Sequence, residues 1–409
     1  MLDNCAQTGN TTDTDFPQTE RSSDRAPCPE ITQDGSRATR IVLDYEFSTA
    51  ISLRTRGIRT TNVKISRASD TRWGSKVHVE ILVTSLSTTI GSRVHAKSIV
   101  DGNGQCELDI SVDWSIWDIG LTNSEISIVL PGSDSVVGKS KDAVHPGIHI
   151  DIPSGALGVT MMGSTRFKYL DLSTGHGPAH LSDVAADSLK LVAHNGNITL
   201  HDIEVTDTIE VIGKAAWMDI DDLHTKSLLA TSTDAIISLK DIVATHVTAT
   251  TTNARIGLGN VRAETLEAST CNGEVVACGV YTSACNVNVV SGDIEGSWCP
   301  KKKLYLSTSN AKIEAQVHLS LDSTAEIVLV SKNGPINIDV PASFAGGFLL
   351  QTTGLFKTFI TTDQSAKTSP ILHISKPENK TGIIGDGTKR HSLRVITEEA
   401  PVVVNFGRV

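Results

Sequence analysis

The chain has 409 residues, 39% hydrophobic and 20% charged, so it can bury a core and is not disordered as a whole. Its net charge of −10 argues against nucleic acid as a main partner, because phosphate binding calls for a basic surface. Aromatics make up only 4%, which suits a thin core of aliphatic rungs better than a globular enzyme.

Residues 1–38 are polar, are broken by Pro17, Pro27 and Pro29, and read as a disordered tail. They lack the basic and apolar regions of a secretory signal, and no apolar run approaches the roughly 18 residues of a transmembrane helix. The expectation is therefore a cytoplasmic protein without an integral membrane segment, with unconventional secretion as the alternative. Sequons at Asn10, Asn197 and Asn379 would matter only on a secretory route. Residues 39–152 alternate like short strands, for example "KVHVEILV" at Lys76–Val83 and "EISIVLPG" at Glu125–Gly132, and read as a β-rich N-terminal cap.

Residues 153–364 carry a repeat. Coil starts fall at Leu170, Leu189, Ile209, Leu228, Val247, Leu266, Cys285, Leu304, Ile327 and Phe348; the first eight are 19 or 20 residues apart, and the last two gaps are 23 and 21. With the start counted as position 1, position 3 is apolar in every coil, as in Leu191, Ala249 and Leu306. Positions 10 and 12 are apolar pairs such as Ile198 and Leu200, and position 15 adds Val184, Ile203, Leu223, Ile242, Val261, Val280 and Cys299. A spacing of two within a pair means a strand with one buried face. The fold class is therefore all-β: a parallel β-solenoid (β-helix) of about ten 19-residue coils with an N-terminal β-rich capping region, its rungs about 4.8 Å apart. Residues 365–409 keep a strand-like alternation and read as C-terminal strands that finish or cap the stack.

Position 7 is Asn or Asp in most coils (Asn195, Asp234, Asn253, Asn272, Asn310, Asn333), and position 8 is Gly or Ala in the nine coils from Leu170 to Ile327. This reads as a corner in which Asn carries a positive φ, position 8 is small to clear the adjacent rung, and the stacked amides bond along the ladder. His176 replaces Asn in the first coil.

The repeat, written L-x-V-x-T-x-N-G-x-I-x-L-x-x-I, resembles the adhesin-like β-solenoid family of unknown function, the auto-transporter adhesin or head-GIN type. The matching stretches are Leu189–Ile203, Leu228–Ile242, Val247–Val261, Leu266–Val280 and Ile327–Ile338, with "VSGDIEG" at Val290–Gly296 and "PASFAGGFLLQTTG" at Pro341–Gly354 also similar in kind. The resemblance covers roughly residues 150–409 and implies the solenoid fold. It carries over no catalytic residue, and the signal peptide and membrane anchor of a surface adhesin are the features it departs from.

Candidate chemistry is sparse. Cys271, Cys278, Cys285 and Cys299 lack the C-x₂₋₄-C spacing of a zinc knuckle and read as small residues of a thin core. Cys285 and Cys299 fall on core columns and Cys271 and Cys278 face outward, with a metal or redox role as the alternative. "MDIDDLH" at Met218–His224 places Asp219 and Asp221 outward beside Asp222 and His224, and reads as a solvated acidic face. The other histidines are scattered, and "KKK" at 301–303 reads as a solvated loop before the coil at Leu304. In "DWSIWD", Trp114 and Trp117 face opposite sides of a strand, so one anchors the cap and the other lies exposed; the pair reads as packing residues, with stacking on a sugar as the alternative. No catalytic, cofactor or metal residue is assigned. The leading expectation is a non-enzymatic, adhesin-like interaction or structural protein whose ligand is a protein or a carbohydrate. The alternatives are a polysaccharide-active β-helix lyase or hydrolase and an unconventionally secreted effector.

Overall fold

The structure is a computed structural model describing residues 30–33, 38–46, 50–56, 60–67, 76–85, 94–100, 105–112, 122–130, 144–145, 147–160, 166–320, 323–353, 356–362, 370–385 and 391–407. Trp114, Trp117, Cys5 and Cys28 lie outside them, as do residues 1–29 of the expected tail. Every regular element among the described residues is a β-strand. No helix there is long and apolar enough to cross a membrane.

Through the repeat a single bent strand covers most of each coil, as in Ile237–Thr251 and Ile256–Thr270. Successive coils pair in parallel, so that Leu228 faces Val247, Val247 faces Leu266, and Leu266 faces Cys285. This is the parallel β-solenoid that the repeat predicts. Its columns are the core: Leu191, Val211, Ala230, Ala249 and Ala268 at position 3 are buried, as are Ile198, Met218, Ile237, Ile256 and Val275 at position 10.

The burial phase gives the cross-section of a coil. A flat strand buries alternate residues. In Ile237–Thr251 the inward residues are Ile237, Leu239, Ile242, Ala244, Val247, Ala249 and Thr251. The alternation slips by one residue between Leu239 and Ile242 and again between Ala244 and Val247, and each slip is a corner. The bend at Thr252–Ala254 supplies the third, so each coil has three facets.

The corner at position 14 corrects an expectation. The left-handed non-glycine residues are Asp183 (φ 55°), Asp202 (53°), Asp222 (53°), Asp241 (51°) and Asn260 (49°), and Gly279 (75°) continues the same column. Asn195, Asn253 and Asn272 at position 7 do not adopt positive φ. The bend at positions 6–8 spreads its turn over several residues, whereas the position-14 corner changes phase at one. That single residue must enter the left-handed region, which Asp, Asn and Gly tolerate best.

The rest of the position-7 reading holds. Asn253 donates to Asp234 Oδ1 at 2.7 Å, Asn272 to Asn253 Oδ1 at 2.8 Å and Asn333 to Asn310 Oδ1 at 2.8 Å. His176 substitutes as expected, with its Nδ1 3.0 Å from Asn195 Nδ2.

A further column, at position 5, carries buried hydroxyls on six rungs, Thr174, Ser232, Thr251, Thr270, Thr308 and Ser331, with Ala193, Gly213 and Val289 on others. Thr270 Oγ1 accepts from Gly273 N at 3.0 Å and donates to Ala254 O at 3.3 Å, linking its own bend to the bend of the preceding rung. Ser331 does the same between Gly334 N (2.9 Å) and Ala311 O (3.2 Å). Replacing Thr270 by Val leaves both backbone groups without that partner and is expected to cost about 1–3 kcal/mol. Val289 occupies the same position one rung on, so the branched shape fits. A denaturant midpoint for Thr270→Val equal to wild type, with Thr270→Ser as reference, would show that this column contributes nothing.

The second corner, at positions 18–19, takes up changes in coil length. One extra residue enters between Val205 and Thr208 and another between Pro300 and Lys303. A compensating one-residue loss precedes the second insertion, so Val280 pairs with Trp298. This corrects the placement of Cys299. Trp298 fills the core slot at 1% exposure, while Cys299 turns out and is only half-buried. Column 12 is reduced to Ala277, Gly296 and Ala315 on the rungs that register there, which leaves room for the indole.

Both ends of the rod depart from sequence order. Ile148–Ile152 pairs in parallel with the coil at Leu170, so the ladder extends outward beyond the first coil of the repeat count. The next rung outward is Ala50–Arg56 with Thr60–Arg67, and beyond it lie Gln105–Val112 and Thr122–Leu130. Antiparallel strands then cover that end, among them Val94–Val100 and Lys76–Ser85. Glu30–Gln33 joins them through Ala38–Glu46, inside the segment read as a tail.

At the other end the coil at Phe348 does not stack on the coil at Ile327 as the repeat count suggests. His391–Thr397 and Val402–Phe406 lie between them, paired in parallel on both sides. Leu393 and Val395 present the same inward alternation as the columns, so they fit there. The outermost facet is covered by the antiparallel hairpin of Asn379–Ile384 and Ile371–Ser375. Phe344 and Phe348, each with its ring centroid 5.8 Å from that of Phe406, plug the core at this end together with it. At both termini the first or last rung of the chain is therefore seated one place inside the end of the stack.

Candidate functional site

The residues singled out by sequence are placed apart by the three-faceted coil. Asp222 is a left-handed corner residue, stacked with Asp202 and Asp241. Asp221 points outward between His201 (3.7 Å) and Lys240 (3.4 Å) of the rungs on either side. Asp219 lies on the same facet, exposed, and His224 is beyond the corner, 4.0 Å from Asp222. The acidic cluster is thus a corner and part of an ion ladder, facing solvent as expected. Asp241 is held below its ordinary carboxyl value by the amide of Asn260, 2.5 Å away, and by Lys240. Its contribution to stability is present at neutral pH and is lost as the pH falls below the carboxylate range.

Among the cysteines, Cys285 is buried on its core column and burial raises its thiol pKa steeply, which keeps it protonated at neutral pH. Cys271 and Cys278 are exposed, as their coil positions imply. Among the described residues no group of three or more His, Cys, Asp or Glu side chains is arranged to hold a metal ion.

A different cluster stands out. Position 16 stacks Val243, Arg262 and Tyr281 on successive rungs, and the Arg262 guanidinium lies 5.3 Å from the centre of the Tyr281 ring. Tyr281 keeps 45% of its surface exposed. These two residues, with Glu264, Ser283, Lys301 and Lys302, line an open depression of 910 Å³ on the second facet. Around the ridge a second depression of 360 Å³ is lined by Glu267, Asn286, Asn288, Lys303 and Tyr305, and Thr265 and Ala284 border both. Lys301, Lys302 and Lys303 were expected in a loop. They lie instead inside the strand Ile294–Thr308, exposed on the ridge where the inserted residue enters.

This site was missed because its members are about 19 residues apart and only their shared column unites them. Aligning position 16 across coils would have brought Arg262 over Tyr281. Trp217, 52% exposed at position 9 beside the exposed Ile236, was missed for the same reason.

No protein-family model and no curated protein matches the chain. Two solved crystal structures are similar to it. One, described as a candidate cell adhesion protein, is from Clostridium sporogenes ATCC 15579: 9% identity, 90% of this chain and 100% of that chain covered, TM-score 0.17. The other, described as a candidate adhesin, is from Bacteroides fragilis NCTC 9343: 11% identity, 90% and 96% covered, TM-score 0.26. At scores this low neither likeness carries an argument about the site.

Proposed function

We propose that the chain is a non-enzymatic, adhesin-like binding rod whose ligand is a carbohydrate chain laid across the ridge of the second facet. The observation that carries this reading is the open depression of 910 Å³, in which the exposed ring of Tyr281 is flanked by Arg262, Lys301 and Lys302. An exposed aromatic ring offers an apolar face to a sugar, and hydrogen-bonding side chains around it fix orientation. The shallow, open shape suits an extended polymer. Of the acidic cluster, Asp222 serves the corner and Asp221 the ion ladder, and the depression itself is lined by a single carboxylate, Glu264. The resemblance of the repeat to adhesin-like solenoids supports the same reading.

The test is a glycan and polysaccharide array on the purified chain, with reducing-end release assayed in the same wells. Binding without release is expected, weakened by Tyr281→Ala. Release of oligosaccharides would overturn the reading in favour of a lyase or hydrolase.

A further inference from the structure

We infer that the ligand of the Tyr281 ridge is a polyanionic polysaccharide, one bearing carboxylate or sulfate groups. This deepens the binding reading above and rests on it.

Several solenoid cations sit beside carboxylates of adjacent rungs, while Lys168, Lys214, Lys226 and Lys332 are exposed single lysines with no ion pair to a described residue. Lys190 lies 3.0 Å from Glu210, Lys240 3.4 Å from Asp221, and Arg255 3.4 Å from Glu274; Lys312 contacts Glu295 and lies 4.0 Å from Asp293. The ridge differs in gathering several unpaired cations in one place. Lys301, Lys302 and Lys303 are all exposed, and none has an ion pair with a described residue. The extra residue between Pro300 and Lys303 sets two lysines, Lys301 and Lys302, against the single Ser283 of the preceding rung. Arg262 is oriented by the Tyr281 ring, which holds the guanidinium without neutralising it. The depression is therefore lined by the cations of Arg262, Lys301 and Lys302 against one carboxylate, Glu264.

A concentration of unpaired positive charge is unusual on a chain of net charge −10. Such a spot does little for stability, since exposed like charges repel. It is suited to an anionic partner, and the adjoining tyrosine selects for a sugar backbone over charge alone. The net negative charge of the chain repels polyanions at longer range, so binding is confined to the ridge and weakens with salt.

The experiment measures binding of fluorescent dextran sulfate, polygalacturonate and unmodified dextran to the full chain near physiological salt. Both charged polymers are expected to bind and dextran is not. The double variant Lys301→Ala/Lys302→Ala is expected to bind about tenfold more weakly, the scale for losing two exposed charge contacts and their local field. Lys301→Arg/Lys302→Arg should recover binding. Tyr281→Ala should weaken it with charge unchanged, and Lys214→Ala, at a distant exposed lysine, should leave it intact. Binding of dextran as tight as that of dextran sulfate would overturn the anionic assignment and leave the carbohydrate reading standing. Equal binding of duplex DNA, or an equal loss in Lys214→Ala, would overturn it as mere charge attraction. Absence of binding to any polysaccharide, here and on the array, would remove both.

Discussion

A chain ending at residue 390 is expected to lose not one rung of the solenoid but two. The segment removed contains Leu393, Val395, Val402, Val404 and Phe406, all buried, and each is worth about 1.5–3 kcal/mol of apolar burial. If this segment were an ordinary last rung, its loss would shorten the rod and expose the coil beneath. Instead it lies between the coil at Ile327 and the strands Gly346–Gln351 and Thr358–Thr362. Those outer strands then have no parallel partner, and Phe344 and Phe348 lose Phe406 from the plug. Hydrogen exchange on the truncated chain is therefore expected to show 346–362 and 371–384 unprotected, while 189–308 exchanges as in the full chain. Protection persisting at 346–362 would mean that this coil can close directly onto Ile327, and that the inserted rung is not what holds the end together.

The same feature marks where sequence reading reaches its limit. Columns 1, 3, 10 and 12 were legible because one buried face imposes alternation, and the solenoid then imposes its period on every rung. The order of rungs is another matter. In a parallel ladder any strand with the right alternation can occupy any rung, so Leu393 and Val395 fit beside Ile327 as well as Phe348 and Leu350 do. The position-14 corner was hidden because Asp183, Asp202, Asp222 and Asp241 are also what a solvent-facing strand would carry. Only backbone geometry distinguishes a left-handed aspartate from an ordinary surface one. The position-5 hydroxyls were hidden for the opposite reason, since Thr and Ser read as surface residues but are buried against the bend. Trp298 shows how a one-residue loss escapes column counting: Cys299 is small and apolar enough to pass for the core residue that Trp298 is. The ridge needed both kinds of information, because Arg262 and Tyr281 become neighbours only once the rungs stack, and Lys301–Lys303 stand out only once the insertion is located.

Two glycine-to-alanine substitutions should move stability in opposite directions and so test the bend at positions 6–8. Gly259 faces outward within a strand, and an added Cβ would meet nothing closer than Lys240 Cγ at 3.6 Å. There alanine restricts the unfolded chain without a clash, so Gly259→Ala is expected to be neutral or to stabilise by about 0.5–1 kcal/mol. Gly273 is at position 8, where an added Cβ would lie 1.7 Å from the carbonyl oxygen of Ala254 on the preceding rung. Either that backbone or the whole bend must shift, and the shift also disturbs the bond from Gly273 N to Thr270 Oγ1. Gly273→Ala is expected to lose about 2–4 kcal/mol, from overpacking together with a damaged buried hydrogen bond. The comparison is pointed because Ala216, Ala235 and Ala254 occupy position 8 in other coils, so composition alone would call the change harmless. Thermal melting of the two variants decides the matter. A Gly273→Ala midpoint at or above wild type would show that the bend relaxes freely, and that small residues at position 8 are not there to clear the adjacent rung.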